Sequence, residues 1–298
     1  MWQELLQQIQ QGDTKALARS ISFIENEHLG YELFLQSLPS GPSKIIGITG
    51  PPGAGKSTLV DSLIGLFVDS GKKVGVLCID PSSPFNLGAV LGDRIRMSDW
   101  YIHPNVFIRS LATRGSMGGL HPKIIEITEL MKAFSFDHII IETVGVGQSE
   151  IEIAGLADVT VVVLVPEAGD EVQTMKAGLM EIADIFVVNK ADRPDADMFE
   201  KNLRLMLAPT FGTHYNEVPV VKTIATQKGG TKELLEIILH QLHKIHNSDK
   251  KFWLLAEKAF QLIQQKRMKE VDKSLLKIEI ETTWQKGNFN LYKFIADK

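Results

Sequence analysis

The run Gly50-Pro-Pro-Gly-Ala-Gly-Lys-Ser57 gathers glycines, a lysine and a hydroxyl into one short loop. Residues of these types at this spacing hold phosphate. Gly50, Gly53 and Gly55 let the backbone curl until successive N–H groups converge on one anion, Ala54 and Thr58 belong to the same cradle, and Lys56 adds a positive charge. The Ser57 hydroxyl is a natural Mg2+ ligand. A second group, Asn189-Lys190-Ala191-Asp192, can read a base. The Asp192 carboxylate accepts from guanine N1–H and the exocyclic amine, whereas adenine would strand it at a cost on the order of 1–3 kcal/mol. Asn189 is expected to brace that loop and the purine edge, and the Lys190 stem to lie over the ring. A phosphate cradle and a guanine reader in one chain predict a GTPase, with GTP as substrate and GDP as product.

Three acids between these motifs complete the candidate chemistry. Asp80 opens Asp80-Pro-Ser-Ser-Pro84, Asp93 lies in Leu91-Gly-Asp-Arg-Ile-Arg96, and Glu142 opens Glu142-Thr-Val-Gly145. A carboxylate at a strand end near a cradle serine can hold Mg2+ directly or through water, because this hard ion prefers oxygen and keeps several waters. Ser57, Asp80, Asp93 and Glu142 are therefore the expected metal residues, and Lys56, Asp80, Asp93 and Glu142 the expected catalytic group. The Gly145 N–H is placed to meet a γ-phosphate and to register its loss.

The elements that must position these residues are legible as apolar runs. Residues 44–49, 74–79, 138–142, 159–165, 185–188 and 218–223 read as strands, and Leu59, Leu63 and Leu66/Phe67 repeat at helical spacing directly after the glycine loop. The runs are continuous, as strands covered on both faces require. They predict an α/β fold with a mainly parallel, doubly wound sheet and helices on both sides. Both nucleotide motifs would then follow strands, where ligands of such sheets bind. Two short amphipathic helices, the second capped by Asp13, are expected before Ser37-Leu-Pro-Ser-Gly-Pro-Ser43, which reads as a linker. Beyond the last strand, Phe252, Leu255, Ala259 and Leu262/Ile263 form one stripe of a helical tail. The expected division is 1–40, a helical extension; 41–248, the nucleotide domain; and 249–298, a helical tail able to serve as a dimerisation arm.

Composition narrows the partners. With 298 residues, 44% of them apolar, the chain can bury a full core, and a net charge of −4 argues against a broad basic footprint for nucleic acid. Cys78 is the lone cysteine and sits in an apolar run, which excludes an internal disulfide and predicts a core thiol. No apolar stretch approaches ~18 residues and the start lacks a secretory pattern, so a cytoplasmic protein without a membrane span is expected.

Taken together, Gly50–Thr58, Asp80–Pro84, Leu91-Gly-Asp-Arg-Ile-Arg-Met97, Ala112-Thr-Arg-Gly115 with Gly118-Gly119, Glu142-Thr-Val-Gly-Val-Gly-Gln-Ser-Glu150, Gly169-Asp-Glu-Val-Gln-Thr-Met-Lys-Ala-Gly178 and Asn189–Asp192 resemble the MeaB/ArgK family. These are G-protein chaperones of adenosylcobalamin-dependent acyl-CoA mutases, a group that includes the methylmalonic aciduria type A protein. The resemblance spans residues 45–195. It implies a homodimeric GTPase that docks on a mutase of the methylmalonyl-CoA type and gates delivery or protection of its cobalamin. Matched by position, the family's catalytic group falls on Lys56, Asp80, Asp93 and Glu142, and Gln173 and Lys176 fall on a mobile element that responds to nucleotide when the partner is bound. Arg94 and Arg114 are candidates either for transition-state cations or for structural clamps.

The chain departs from the family pattern at Phe85-Asn-Leu-Gly-Ala89, which replaces a hydroxyl-bearing stretch. Val146 also stands where small signalling GTPases carry a glutamine, with Gln148 further on, so slow turnover without a partner is expected. Other functions fit parts of the pattern. A nickel-insertion GTPase would need soft ligands that one core-like cysteine and scattered His103, His121 and His138 do not supply. A signal-recognition GTPase would carry Asp-Thr-Ala-Gly-Arg at residue 142. An ATPase or kinase linked to basic amino-acid transport conflicts with a guanine reader. A nucleotide-sensing adaptor without turnover would use the acids only to hold Mg2+.

Overall fold

The computed structural model describes residues 1–80, 97–113, 120–143, 149–168, 177–207, 218–243, 249–268, 271–287 and 289–296. Its described part is built on a seven-stranded sheet: β1 (Lys44–Thr49), β2 (Val74–Asp80), β3 (Val106–Ala112), β4 (His138–Glu142), β5 (Val159–Leu164), β6 (Ile185–Asn189) and β7 (Val220–Thr223). The order across the sheet is β3-β2-β4-β1-β5-β6-β7, and every pairing is parallel. The expected runs became strands because their residues are buried on both faces, completely so in β2, β5 and β6.

β3 was not expected from sequence. It lies at the sheet edge, its centre is only half-buried, and Arg109-Ser110 interrupts the apolar run that marks its neighbours. Arg109 points toward a helix rather than into apolar core: its guanidinium donates to Ser22 Oγ at 3.0 Å and Glu25 Oε2 at 2.6 Å.

Helices cover both faces. On one, α4 (Lys56–Asp69) and the later α9 (Thr231–His243) pack on Ile46, Ile48, Val76, Val161 and Val187. On the other lie α1 (Trp2–Gln10), α2 (Thr14–Glu25) and α3 (Tyr31–Gln36), with α5 (Ile124–Ala133) and α6 (Ser149–Leu156), around Ile45, Leu77, Ile139 and Ile141. Further along the same sheet, α7 (Ala177–Ile182) and α8 (Ala196–Leu207) cover Val162, Phe186 and Val188. Alternate residues of β1 thus enter different cores, as the period of two demands. Asp13 caps α2, accepting from Lys15 N at 2.8 Å and Ala16 N at 3.1 Å.

Strand starts share one device. Asp137, Asp158 and Asp184 each precede a strand, and their carboxylates accept from the backbone N–H of Lys73, just before β2, and of Ile45 and Thr160 on the neighbouring strands, at 2.8, 2.8 and 2.7 Å. Each supplies an acceptor where the ladder has not yet begun.

The chain divides into two compact units, Met1–Lys251 and Phe252–Lys298. Among the described residues the tail forms α10 (Asp249–Arg267), α11 (Lys273–Gln285) and α12 (Leu291–Ala296). Asp272 caps α11, its carboxylate accepting from Ser274 N at 2.6 Å. Among the described residues, no helix is long and apolar enough to cross a membrane.

Candidate functional site

β1 delivers the glycine loop to the carboxyl edge of the sheet. Gly50 leaves the strand at φ 141°, and a Cβ there would lie 2.1 Å from the Val163 carbonyl on β5, so only glycine lets the loop seat this closely. Gly55 precedes α4 in the left-handed region, at φ 87°, and a Cβ on it would lie 2.4 Å from Asn189 Nδ2. The glycine is required by the neighbour as well as by the turn. α4 then begins at Lys56, so the positive end of its dipole lies at the glycine loop.

Lys56 is buried and its ammonium donates to the carbonyls of Gly50 and Pro51, at 2.9 and 3.0 Å, bridging the mouth of the loop. Ser57, also buried, donates from its hydroxyl to Glu142 Oε1 at 2.7 Å. Glu142 ends β4, between β2 and β1. Asp80 ends β2, two positions beyond Cys78, which pairs with Glu142. Both carboxylates are buried. Lys56, Ser57, Asp80 and Glu142 are therefore gathered at the carboxyl ends of three adjacent strands, a cation, a hydroxyl and two acids, all of them buried. Such a set can hold an anion and a hard cation side by side. Asp93, Gly145, Gln173 and Lys176 lie outside the described residues, as do Arg94, Arg114, Gln148 and the stretch 85–89.

The base-reading loop starts where β6 ends. Asn189 is 2% exposed and makes three bonds. Its Nδ2 donates to Ala54 O at 2.8 Å, while Oδ1 accepts from Thr223 Oγ1 at 3.0 Å and from Ala225 N at 3.2 Å. The amide is used at both ends, donor toward the phosphate loop and acceptor toward the loop after β7. Lys190 adopts φ 57°, turning the chain sharply, and Ala191 N donates to Thr223 O at 3.0 Å. Asp192 is exposed at the tip of this turn, where its carboxylate can be reached by a ligand.

Sequence reasoning missed several participants. Thr223 ends the last strand and Ala225 follows it, and the rule that ligands gather beyond strand carboxyl ends would have pointed to them. Ser62 on α4 donates to both Thr58 O and Ala225 O at 3.1 Å, tying the phosphate helix to the loop after β7. Thr49 and Thr143 bond each other at 2.8 Å beside the glycine loop. None has a local sequence signal, since each contact joins segments far apart in the chain.

The family described as "Methylmalonyl Co-A mutase-associated GTPase MeaB" matches residues 17–278. A protein of Pyrococcus abyssi named as a GTPase is 45% identical over 97% of this chain and 89% of its own length. "Methylmalonic aciduria type A homolog, mitochondrial" of Caenorhabditis elegans is 38% identical over 64% of this chain and 52% of its own length. Among solved structures, that of a LAO/AO transport system kinase superposes with a TM-score of 0.70 at 22% identity, covering 99% of this chain and 95% of that one, which is a likeness of fold. The phosphate cradle and the base loop braced by Asn189 thus lie within a match that takes in most of the sequence, and the chain belongs to the MeaB family of GTPases.

Proposed function

We propose that this GTPase docks on an adenosylcobalamin-dependent acyl-CoA mutase of the methylmalonyl-CoA type and uses GTP binding and hydrolysis to gate delivery or protection of the mutase cofactor. The observation that carries the reading is the Ser57–Glu142 bond at the sheet's carboxyl edge, set in a chain whose family is described as mutase-associated. That bond brings a carboxylate to the mouth of the phosphate loop, where hydrolysis needs one.

In this reading Lys56 offsets phosphate charge, and Gly53, Ala54, Gly55, Ser57, Thr58 and Gly145 bind the phosphates. Asn189, Lys190 and Asp192 take the guanine. The residues present fit Mg2+: a serine hydroxyl 2.7 Å from one buried carboxylate, with the buried Asp80 at the next strand end, are the hard oxygen donors this ion takes. Ser57, Asp80, Glu142 and Asp93 would hold it, directly or through water. Bound Mg2+ would supply neutralisation of phosphate charge. Gln173 and Lys176 respond to the partner, Lys176 offsetting γ-phosphate charge once the mutase is docked. The protein acts in the cytoplasm as a homodimer. Burial against a second copy is supported by the exposed apolar stripe Phe252, Leu255, Leu262 and Ile263.

Single-turnover GTP hydrolysis with and without the purified cognate mutase tests the proposal. Partners that complete a GTPase site raise turnover by roughly 10³–10⁵-fold. The expected result is acceleration by the mutase that is lost in Lys176→Ala. An unchanged rate on adding the mutase would overturn it.

A further inference from the structure

Two consecutive residues at the end of β4 are each gripped by a hydroxyl from the phosphate loop's flanks. Glu142 accepts from Ser57, the residue just after the loop lysine. Thr143 donates from its hydroxyl to Thr49 Oγ1 at 2.8 Å, and Thr49 is the residue just before Gly50. Consecutive extended residues project to opposite faces, so the pair is held from both sides of the sheet. Thr143 N also donates to Ile48 O at 3.0 Å, extending the β1–β4 ladder one residue past the strand. Both threonine side chains are buried.

We propose that Thr49 and Thr143 are positioning residues for GTP hydrolysis, their hydroxyl bond fixing the carboxyl end of β4 against the phosphate loop so that Glu142 keeps its distance from the nucleotide phosphates. The inference rests on the reading of Glu142 as a hydrolytic residue. Threonine suits the task because its branched Cβ leaves few rotamers, so a bond between two such side chains transmits position with little slack. The backbone ladder pairs Glu142 with Ile48 and Cys78, and the Ser57 hydroxyl holds its carboxylate. The threonine bond adds a side-chain tie on the opposite face. A group displaced by about 1 Å from its working position can cost on the order of 10²-fold in rate, so a small shift of the strand end is enough to matter.

The test compares Thr49→Val, Thr143→Val, the double valine variant and Thr143→Ser, with Glu142→Ala alongside, by kcat for GTP, Kd for GDP and melting temperature. Valine keeps the shape, and removing both polar partners together is nearly neutral for folding, whereas removing one strands the other. The double variant is expected to melt close to the unmodified protein and bind GDP within about twofold, yet to lose about tenfold or more in kcat. Thr143→Ser restores the hydroxyl and should retain most of the rate. A double variant with unmodified kcat overturns the inference, as does a kcat loss matched by an equal loss of GDP affinity. If Glu142→Ala itself leaves kcat unchanged, the hydrolytic role of Glu142 fails first, a result separate from either outcome in the threonines.

Discussion

The Asn189 side chain donates to the backbone carbonyl of Ala54 across 2.8 Å, joining the base-reading loop to the phosphate loop. One buried amide therefore ties the turn after β6 to the glycine loop after β1, the two segments proposed to hold the ends of a nucleotide. Because Oδ1 simultaneously accepts from Thr223 and Ala225, three loops at the carboxyl edge are tied together by one side chain.

Replacing Asn189 by Ala should strand the Ala54 carbonyl, the Thr223 hydroxyl and the Ala225 N–H together. Leaving a buried group unsatisfied costs about 1–3 kcal/mol, and water entering the gap recovers part of it. The expected result is a loss of about 2–4 kcal/mol of stability together with a fall in GDP affinity of about tenfold or more. Urea denaturation and titration with a fluorescent GDP analogue measure the two. A variant that binds GDP as the unmodified chain does would mean that the loops hold their spacing without it.

Base selection is expected to rest on Asp192, exposed at the tip of the turn that Lys190 makes. Asp192→Asn exchanges an acceptor for a donor, so guanine loses a partner while the extra carbonyl of xanthine gains one. GDP affinity should fall and xanthosine diphosphate affinity rise, read by competition against one labelled nucleotide. Equal competition by ADP and GDP in the unmodified protein would contradict the assignment.

How much of this was legible in the sequence depended on whether the signal was local. Continuous apolar runs gave β1, β2, β4, β5 and β6 closely, because strands covered on both faces carry few polar residues away from their ends. β3 escaped because Arg109 and Ser110 break its run, and an edge strand can afford such residues when a helix supplies Glu25 as partner. In the tail the apolar stripe marked a helix around 252–263, and Asp272 caps a further one as Asp13 caps α2. In the site, the brace role expected of Asn189 follows from its place after β6. Its bonds to Thr223, Ala225 and Ala54 could not be read, because those contacts exist only once the parallel sheet has aligned the ends of β1, β6 and β7.

The same non-local logic makes Glu25 a sensitive position. Arg109 and Glu25 are both largely buried, with the guanidinium 2.6 Å from the carboxylate, and His121 Nε2 lies 3.7 Å from its other oxygen. Glu25→Ala leaves the guanidinium of the edge strand without its main counter-charge. Breaking a buried pair from one side costs about 3–5 kcal/mol, and partial exposure of Arg109 lowers the expectation to about 2–3 kcal/mol. The double replacement Glu25→Ala with Arg109→Met should recover part of that loss. Chemical denaturation of the three variants is the measurement, and a single variant as stable as the parent would show that the pair contributes nothing.

Acid sensitivity should trace to His138 at the start of β4. Burial holds its imidazole pKa below the usual value of 6.5; the neighbouring Asp137 opposes that shift and Lys72 adds to it. The ring stacks on Phe67 with centroids 4.5 Å apart, and Nδ1 has no hydrogen-bond partner among the described residues. Above about pH 7 the residue is neutral in both folded and unfolded chains and stability does not depend on it. As pH falls through 6.5 the unfolded chain takes up a proton that the folded one refuses, so stability drops, by at most about 1.4 kcal/mol per pH unit for one proton. Asp137, whose pKa is lowered chiefly by its bonds to Lys73 N–H and Lys72 against the opposing effect of burial, acts in a separate window: its stabilisation is present above 3.8 and is lost as pH falls below it. Urea midpoints at pH 7.5 and 5.5 should therefore differ in the unmodified protein by more than in His138→Leu, which keeps an apolar contact with Phe67 and cannot titrate. Identical differences in the two proteins would assign the acid loss to another group.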